Sequence, residues 1–551
     1  MGACLISLDY FKAYDRVLVS FLLLVMNKMG FGPKFCNWIK MLHDDAKTKF
    51  ILSGLTTAID ICFSIRQGDP LSMILYIIHI EPLLTHIEKR IEGLKLPCTL
   101  AGQLNFQQEV EAYCDDLNIL TENDRDFTIL DDSVTKFEKV SGAILSRNSK
   151  CKVIGFGKWK DRAVWPLPYL DSVTELKVFG IIVMNNVRSL ITKNWENRFL
   201  KFQQCIISWS SRVLDTLSQR IQVIKTFGLS RIYYVASILP LPKNYVNKIE
   251  QVIGKFLWSF SGRLIRVSIT DLKLSPERGG LGLVCIDSMA KSLLLTQLLR
   301  LLKSEDSHSV AHIGYWIGEV LEDLMPDLFI GIHAAIVPPY FQKLAELVAD
   351  SKMNDLVSPA TWNTITNKNA YMTHARNFPP TKLESDLGVD MTHIWKKLCS
   401  PSLTCWTRET LFLLLHNKLP NKERLFRVGV NPDPYCVFCI NSVGTFICDR
   451  EHVFCTCSSI SALWHIIREL VDPLLKMNIS DIDLLTLNFD GGSYCTEVTW
   501  LIASYVHEVW TKICADGGNI SQEELFGFLR FKFKNDQIGS RMKMKIIPNF
   551  L

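Results

Sequence analysis

Residues 112–120, AYCDDLNIL, set two aspartates side by side at the end of an apolar segment. Adjacent carboxylates repel each other and are costly to hold inside a fold. The surrounding run QQEVEAYCDDLNILTEN (107–123) reads as strand, tight turn, strand. Asp-Asp is a common turn pair, so Asp115 and Asp116 alone are a weak signal, but a pair of metal ions there would offset their repulsion.

The rest of the first 185 residues fits a layer of strands with helices against it. ACLISLD (3–9) reads as a buried strand, and RVLVSFLLLVMNKMGFG (16–32) as an amphipathic helix closed by glycine. TKFILSGLTTAIDICFSI (48–65) looks like a hairpin rich in β-branched residues. DPLSMILYIIHIEPLLTHIEKRI (69–91) has the period and length of a long buried helix, entered through a Gly-Asp-Pro turn. FTILDDSVTKFEKVSGAIL (127–145) reads as helix then turn. The expected class is α+β, with an antiparallel sheet backed by helices, followed by mainly helical regions.

A length of 551 residues suggests three or four domains, and 48% hydrophobic content gives material for cores. No apolar run reaches the roughly 18 residues of a membrane-spanning helix, and the N-terminus has no basic flank of a secretory signal. The 17 cysteines are odd in number and mostly scattered, which points to a reducing compartment. Net charge is only +5, but residues 187–303 hold 18 Lys/Arg against six Asp/Glu, an excess of +12 that leaves −7 for the remainder. Such a segment is either a polyanion-binding surface or a solvated helical region.

Moving a nucleotide onto a 3′-hydroxyl requires stabilising charge on triphosphate oxygens, which two Mg²⁺ ions about 3.5–4 Å apart can do. Mg²⁺ takes hard oxygen ligands, so carboxylates from different strands must converge. Asp9, where the strand LISL ends, is the expected partner of Asp115 and Asp116.

Five blocks then occur in order: LDYFKAYDRV, RQGDPLS, AYCDDL, SGAILSRNSKCK and KVFGI. This series resembles motifs A to E of a reverse transcriptase palm, most closely that of the LINE-type (non-LTR) retrotransposon polymerases. RQGDPLS is the most specific piece, and the blocks span about residues 1–183. LSRIYYVASILPLP, FLW and GGLGL are similar to the downstream region of these proteins.

The resemblance implies an RNA-directed DNA polymerase that extends a DNA primer on an RNA template with dNTPs and two Mg²⁺. It implies metal-binding roles for Asp9, Asp115 and Asp116, with the backbone carbonyl of Tyr10 completing a shell. Tyr14 would crowd a ribose 2′-OH or pack the core. Arg66, Gln67 and Gly68 would contact template and incoming nucleotide. Lys150 is the candidate proton donor to pyrophosphate, with Lys152 as a competing choice. Phe179 and Gly180 match the primer-grip turn, and Asp15 reads as structural. Asp69 and Cys114 stand where relatives usually carry cysteine and alanine.

The sequence opens almost at the first block. A fingers segment is therefore expected to be missing and activity to suffer, since triphosphate positioning carries much of phosphoryl-transfer catalysis. The second reading is a non-catalytic nucleic-acid-binding remnant. The family places such proteins in cytoplasm and nucleus, in a ribonucleoprotein with the element RNA and off membranes.

YCVFCINSVGTFICDREHVFCTC (435–457) contains five cysteines and a histidine from Cys436 to Cys457. Cys436-x₂-Cys439 with His452-x₄-Cys457 makes a Cys₃His set suited to one structural Zn²⁺. Cys455 can stand in for Cys457, and Cys448 reads as a spectator. A similar Cys-Cys-His-Cys module ends LINE polymerases. The tail FLRFKFKNDQIGSRMKMKIIPNF (528–550) alternates aromatic and basic residues, as a nucleic-acid contact or an edge strand would. The expected division is palm 1–185, basic helical thumb 186–305, helical region 306–430, Cys/His module 431–470, and helical segment with basic tail 471–551.

Overall fold

The computed structural model describes residues 2–44, 47–49, 51–52, 54–55, 57–60, 64–98, 105–148, 150–258, 267–304, 306–325, 336–376, 378–439, 446–475, 479–490, 492–516, 522–535 and 538. The chain divides into two compact units, residues 1–197 with 297–365 and residues 198–296 with 366–551.

In the first unit a five-stranded sheet is built from β1 (Gly2–Leu8), β2 (Val110–Tyr113), β3 (Asp116–Thr121), β4 (Lys152–Gly157) and β5 (Asp171–Ser172), in the order β5-β4-β1-β3-β2. Pairing is antiparallel except at the edge, where β5 runs parallel to β4. A separate hairpin, β6 (Glu175–Val178) and β7 (Ile181–Met184), follows.

β1 is covered on both faces, which explains its unbroken apolar reading. Ile6, Leu8, Leu117, Ile119 and Val153 face α1 (Val19–Lys28), α3 (Ser72–Glu88) and α4 (Arg125–Ser141), and the core forms there. Leu5 and Ile154 turn the other way and pack with Leu176 of β6. α4 ends on Gly142 in the left-handed conformation, as its sequence suggested.

One element went unread in the sequence and one local reading changes. Residues 33–43, PKFCNWIKMLH, form a helix, α2 (Pro33–His43), entered through Gly32 and Pro33. α3 buries Leu75, Tyr76, Ile80 and Leu83 but exposes Met73, Ile74 and Ile77, so it is half-buried. The β-branched stretch after residue 47 does form a hairpin: among the described residues, Lys47–Thr48 pairs antiparallel with Ile59–Asp60 and, inside it, Ile51–Leu52 with Gly54–Leu55. Residues 61–63 lie outside the described residues.

The second unit is helical. α5 (Val187–Ser210) contributes residues 198–210, followed by α6 (Leu217–Val223), a π-helical turn Ile224–Gly228, α7 (Ser230–Ala236) and α8 (Lys243–Leu257). Thr216 and Gln219 form a reciprocal capping box at the start of α6. The buried Arg220 guanidinium donates to the carbonyls of Leu214 and Phe256. Further along, α9 (Cys405–Leu415) packs on α11 (Cys495–Asp516), with α10 (Ser461–Leu475) bringing Trp464 onto Tyr505. Residues 522–535 form a helix, α12, so the edge-strand reading of the tail fails over that part. Residues 539–551 lie outside the described residues. No described helix is long and apolar enough to cross a membrane.

Candidate functional site

The β2–β3 hairpin closes in two residues, Cys114 and Asp115, between the paired Tyr113 and Asp116. Cys114 has φ +55, which places a left-handed residue at the first central position, the II′ arrangement that suits strand twist. β3 pairs with β1 through Leu8↔Leu117. Continuing that register by one residue sets Asp9 level with Asp116, and opposed side chains on antiparallel strands lie about 4.5–5.5 Å apart at Cβ. Strand pairing thus carries Asp9 and Asp116 to one sheet end, with Asp115 in the turn beside them.

The electrostatics agree. Burial pushes the Asp116 carboxyl above its usual range, and the negative charges of Asp115 and Asp9 push it further. Lys150 Nζ lies 3.2 Å from Asp9 Oδ2. Ser146 Oγ donates to the same oxygen at 3.0 Å, and the Ser146 N–H donates to the Asp9 carbonyl at 2.8 Å. The loop carrying these groups is held by Glu138, which accepts from the Leu145 N–H and from both terminal nitrogens of Arg147. Lys152 opens β4, paired with Ser7 and Asp171, and is exposed.

Tyr10 forms an isolated bridge to Leu145, and its ring is buried edge-on to Phe137. Tyr14 stacks on Tyr76 with centroids 4.9 Å apart. Burial, then a side-chain hydrogen bond with Cys114, pushes the Tyr14 phenol up to about 12. The phenol therefore sits against the turn that bears Asp115. Asp15 is exposed in the short 3₁₀ turn Tyr14–Arg16.

Arg66, Gln67, Gly68 and Asp69 make a reverse turn, with the Asp69 N–H donating to the Arg66 carbonyl at 3.3 Å. Gly68 takes φ +86 at its third position, as a type II turn requires. A Cβ there would meet nothing within 4 Å, so only the dihedral excludes other residues. Gly68→Ala should cost about 1–2 kcal/mol of stability, and Gly68→Asn should recover most of it because asparagine tolerates this region. Urea midpoints of the three proteins test this; an alanine variant as stable as wild type would reject the assigned turn.

β6 and β7 are joined by Phe179 and Gly180, at φ +46 and +84. Both central residues are left-handed, a type I′ turn, and a phenylalanine there is a genuine outlier. Its ring meets Tyr113 edge-on with centroids 6.1 Å apart. The tips of the two hairpins therefore touch, which the sequence did not announce. Ser146 was also missed. Its only signal was proximity to Lys150 within one block, and its contact with Asp9 spans 137 residues.

The second cluster lies in the second unit. Cys436, Cys439, His452 and Cys457 are buried and bring one ligand atom each within 4.8 Å of all the others. The separations are 3.7 Å for Cys436 Sγ to Cys457 Sγ, 4.0 Å for Cys439 Sγ to Cys457 Sγ, and 3.5 Å for Cys439 Sγ to His452 Nε2. A tetrahedral zinc with ordinary bond lengths would set sulfurs about 3.8 Å apart and sulfur to nitrogen about 3.6 Å.

A short hairpin presents the cysteine pair, with the Cys436 N–H donating to Phe446 O and the Cys448 N–H to Pro434 O. His452 and Cys457 flank the π-helical turn His452–Thr456, where the Cys457 N–H donates to His452 O. His452 Nδ1 lies 3.2 Å from Thr456 Oγ1, the outer contact that orients a ligand ring. Burial raises the Cys439 thiol, but hydrogen bonds from Ser458, Cys436 and Cys457 outweigh it and hold its pKa below the ordinary value. Cys455 is buried outside the four, with its thiol pushed up by burial. Cys448 packs against the cluster without joining it.

Residues 1–183 match the family model described as reverse transcriptase (RNA-dependent DNA polymerase). The chain is 26% identical over 316 residues to the transposon TX1 uncharacterized 149 kDa protein of Xenopus laevis, a match over 56% of this chain and 23% of that one. It is 32% identical over 124 residues to the retrovirus-related Pol polyprotein from the type-1 retrotransposable element R2 of Popillia japonica, over 22% of this chain and 19% of that one. The chain thus spans about a quarter or less of these relatives' length. Among solved structures, telomerase from Candida tropicalis with a TWJ fragment of telomeric RNA aligns over 56% of this chain and 48% of that chain, at 11% identity and a TM-score of 0.26, too slight a likeness to build on.

Proposed function

We propose that this chain, whose first 183 residues are a reverse transcriptase domain of the LINE type, is an RNA-directed DNA polymerase that extends a DNA 3′-end on an RNA template. The observation that carries this reading is the register that brings Asp9 level with Asp116, beside the two-residue turn that holds Asp115. Three converging carboxylates, two of which raise the proton affinity of the third, Asp116, are a donor set for divalent cations.

Asp9, Asp115 and Asp116 would hold Mg²⁺, with the Tyr10 carbonyl as a further oxygen ligand. When bound, the ions lower the charge on the triphosphate and on the attacking 3′-oxygen. The chain's own groups do the rest. Ser146 fixes the Asp9 carboxylate. Lys150, at Asp9 Oδ2, stands where a proton can be given to departing pyrophosphate. The Arg66–Asp69 turn brings backbone close to template and nucleotide. The touching tips at Tyr113 and Phe179 tie the primer-grip turn to the aspartate turn. Magnesium-dependent primer extension by wild type and an Asp115→Ala, Asp116→Ala double variant tests the reading.

Tyr14 would select deoxynucleotides. Its ring is fixed by Tyr76 and Cys114, so it cannot swing aside for a 2′-hydroxyl without breaking both contacts. Tyr14→Val should raise ribonucleotide incorporation relative to deoxynucleotide by on the order of 10- to 100-fold. Single-nucleotide kcat/KM for a ribo- and a deoxynucleotide checks this; an unchanged ratio would leave Tyr14 as a packing residue.

In the second unit, Cys436, Cys439, His452 and Cys457 would hold one structural Zn²⁺. The basic helices from residue 187 onward would grip the phosphates of an A-form RNA–DNA hybrid without reading its sequence. The element RNA would be bound in a ribonucleoprotein that works in cytoplasm and nucleus.

A further inference from the structure

α5 and the π-helical turn Ile224–Gly228 enclose a cleft of about 320 Å³ lined by Lys201, Gln204, Cys205, Ser208, Trp209, Phe227 and Arg231. Its construction depends on Gly228. A Cβ at that position would come within 2.9 Å of Ile206 Cδ1 and 3.0 Å of Phe202 Cε2, so the turn lies close against α5 and a larger residue would push those side chains aside. The π turn, closed by the Leu229 N–H donating to Ile224 O at 2.8 Å, carries Phe227 out to the surface. Such bulges often mark functional sites.

The chemistry of the lining is specific. Trp209 and Phe227 lie with centroids 4.7 Å apart and planes inclined by 31°. Arg212 covers Trp209 with its guanidinium carbon 4.4 Å from the ring centroid. Phe227 is 44% exposed, a large apolar surface open to water. Among the described residues no carboxylate lines the cleft. Among the described residues Lys201 and Arg231 have no ion-pair or hydrogen-bond partner. An aromatic platform flanked by uncompensated cations and by the polar ends of Gln204 and Ser208 suits an unstacked base with its phosphates.

We infer that this cleft binds single-stranded nucleic acid, taking one unpaired nucleotide by stacking on the open face of Phe227, which Trp209 backs, while Lys201 and Arg231 hold the flanking phosphates. A base inside a duplex has both faces stacked and cannot enter. The inference deepens the nucleic-acid reading of the basic helical segment and rests on it.

The test is fluorescence anisotropy with the full chain and labelled (rU)₂₀, (dT)₂₀ and a 20-base-pair RNA–DNA hybrid, across a salt series. Phe227→Ala should weaken both single strands about 5- to 150-fold, and Phe227→Tyr should restore most of the loss. Lys201→Gln with Arg231→Gln replaces exposed side chains and should lower the salt slope for single strands by about 1.4. Hybrid affinity should change much less. A difference between (rU)₂₀ and (dT)₂₀ would show whether the 2′-OH is read. Single-strand affinity that ignores Phe227 would overturn the inference, as would equal losses for hybrid and single strand. Primer extension by the same proteins separates the outcomes: extension that survives while the cleft proves inert leaves the polymerase reading standing, and absent extension with Phe227-dependent binding leaves the cleft standing.

Discussion

Replacing Asp115 and Asp116 together by alanine should abolish Mg²⁺-dependent extension of oligo(dT) on poly(rA), by about 10³-fold or more. Metal-borne charge stabilisation is worth several kcal/mol, and each 1.36 kcal/mol is a factor of ten in rate. Stability should move the other way or not at all. Asp116 bears a carboxyl raised by burial and by its two acidic neighbours, so its removal relieves repulsion. Loss of activity with an unchanged or slightly raised melting temperature would therefore locate the effect in chemistry. Extension that persists in the double variant would place the active site elsewhere. Absence of extension from both proteins, with salt-sensitive hybrid binding retained, would instead support the non-catalytic binding reading.

Much of this site was legible because it is made by local rules. An Asp-Asp pair between two short alternating runs leaves a two-residue turn as the simplest solution, and Cys114-Asp115 is that turn. Asp9 was legible because a strand end is where a buried apolar run must stop. The Cys-x₂-Cys and His-x₄-Cys spacings are likewise local, and their meeting needed only a hairpin and one helical turn.

What the sequence hid is long-range or runs against local pattern. The hydroxyl on Asp9 comes from Ser146, far along the chain, and no period marks it. Contact between Tyr113 and Phe179 depends on how two hairpins stand, which neither hairpin encodes alone. α2 carries a helical apolar period that went unread, and it buries Cys36 and Ile39 while leaving Trp38, Met41 and Leu42 exposed. RFKFK in the tail alternates with the period of a strand, yet it continues the helix begun at Gln522. Five residues of alternation are too few to outweigh the helical run before them.

Cys439→Ser should strip the Cys/His cluster of metal and destabilise the second unit. Cys439 Sγ lies within 4.8 Å of the ligand atoms of all three others, with His452 at 3.5 Å and Cys457 at 4.0 Å, so the loss of its thiolate leaves an incomplete tetrahedron. Purified wild type should carry about one zinc per chain and the variant less than about a tenth of that. The stability cost should be large, on the order of several kcal/mol, because structural zinc sites contribute roughly 10–16 kcal/mol of apparent binding energy to folding. The effect should spread beyond the cluster: Phe454, inside the π-helical turn, accepts a hydrogen bond from the buried Tyr505 hydroxyl of α11, which packs on α9. Cys455→Ser and Cys448→Ser should keep the metal, since neither sulfur belongs to the four. Metal analysis by mass spectrometry and thermal melts with and without chelator decide the matter. Full zinc in Cys439→Ser would sink the assignment, and loss of zinc in Cys455→Ser would exchange Cys457 for Cys455 as ligand. Acidification should release the metal, because each bound thiolate and the imidazole must take up a proton as they let go.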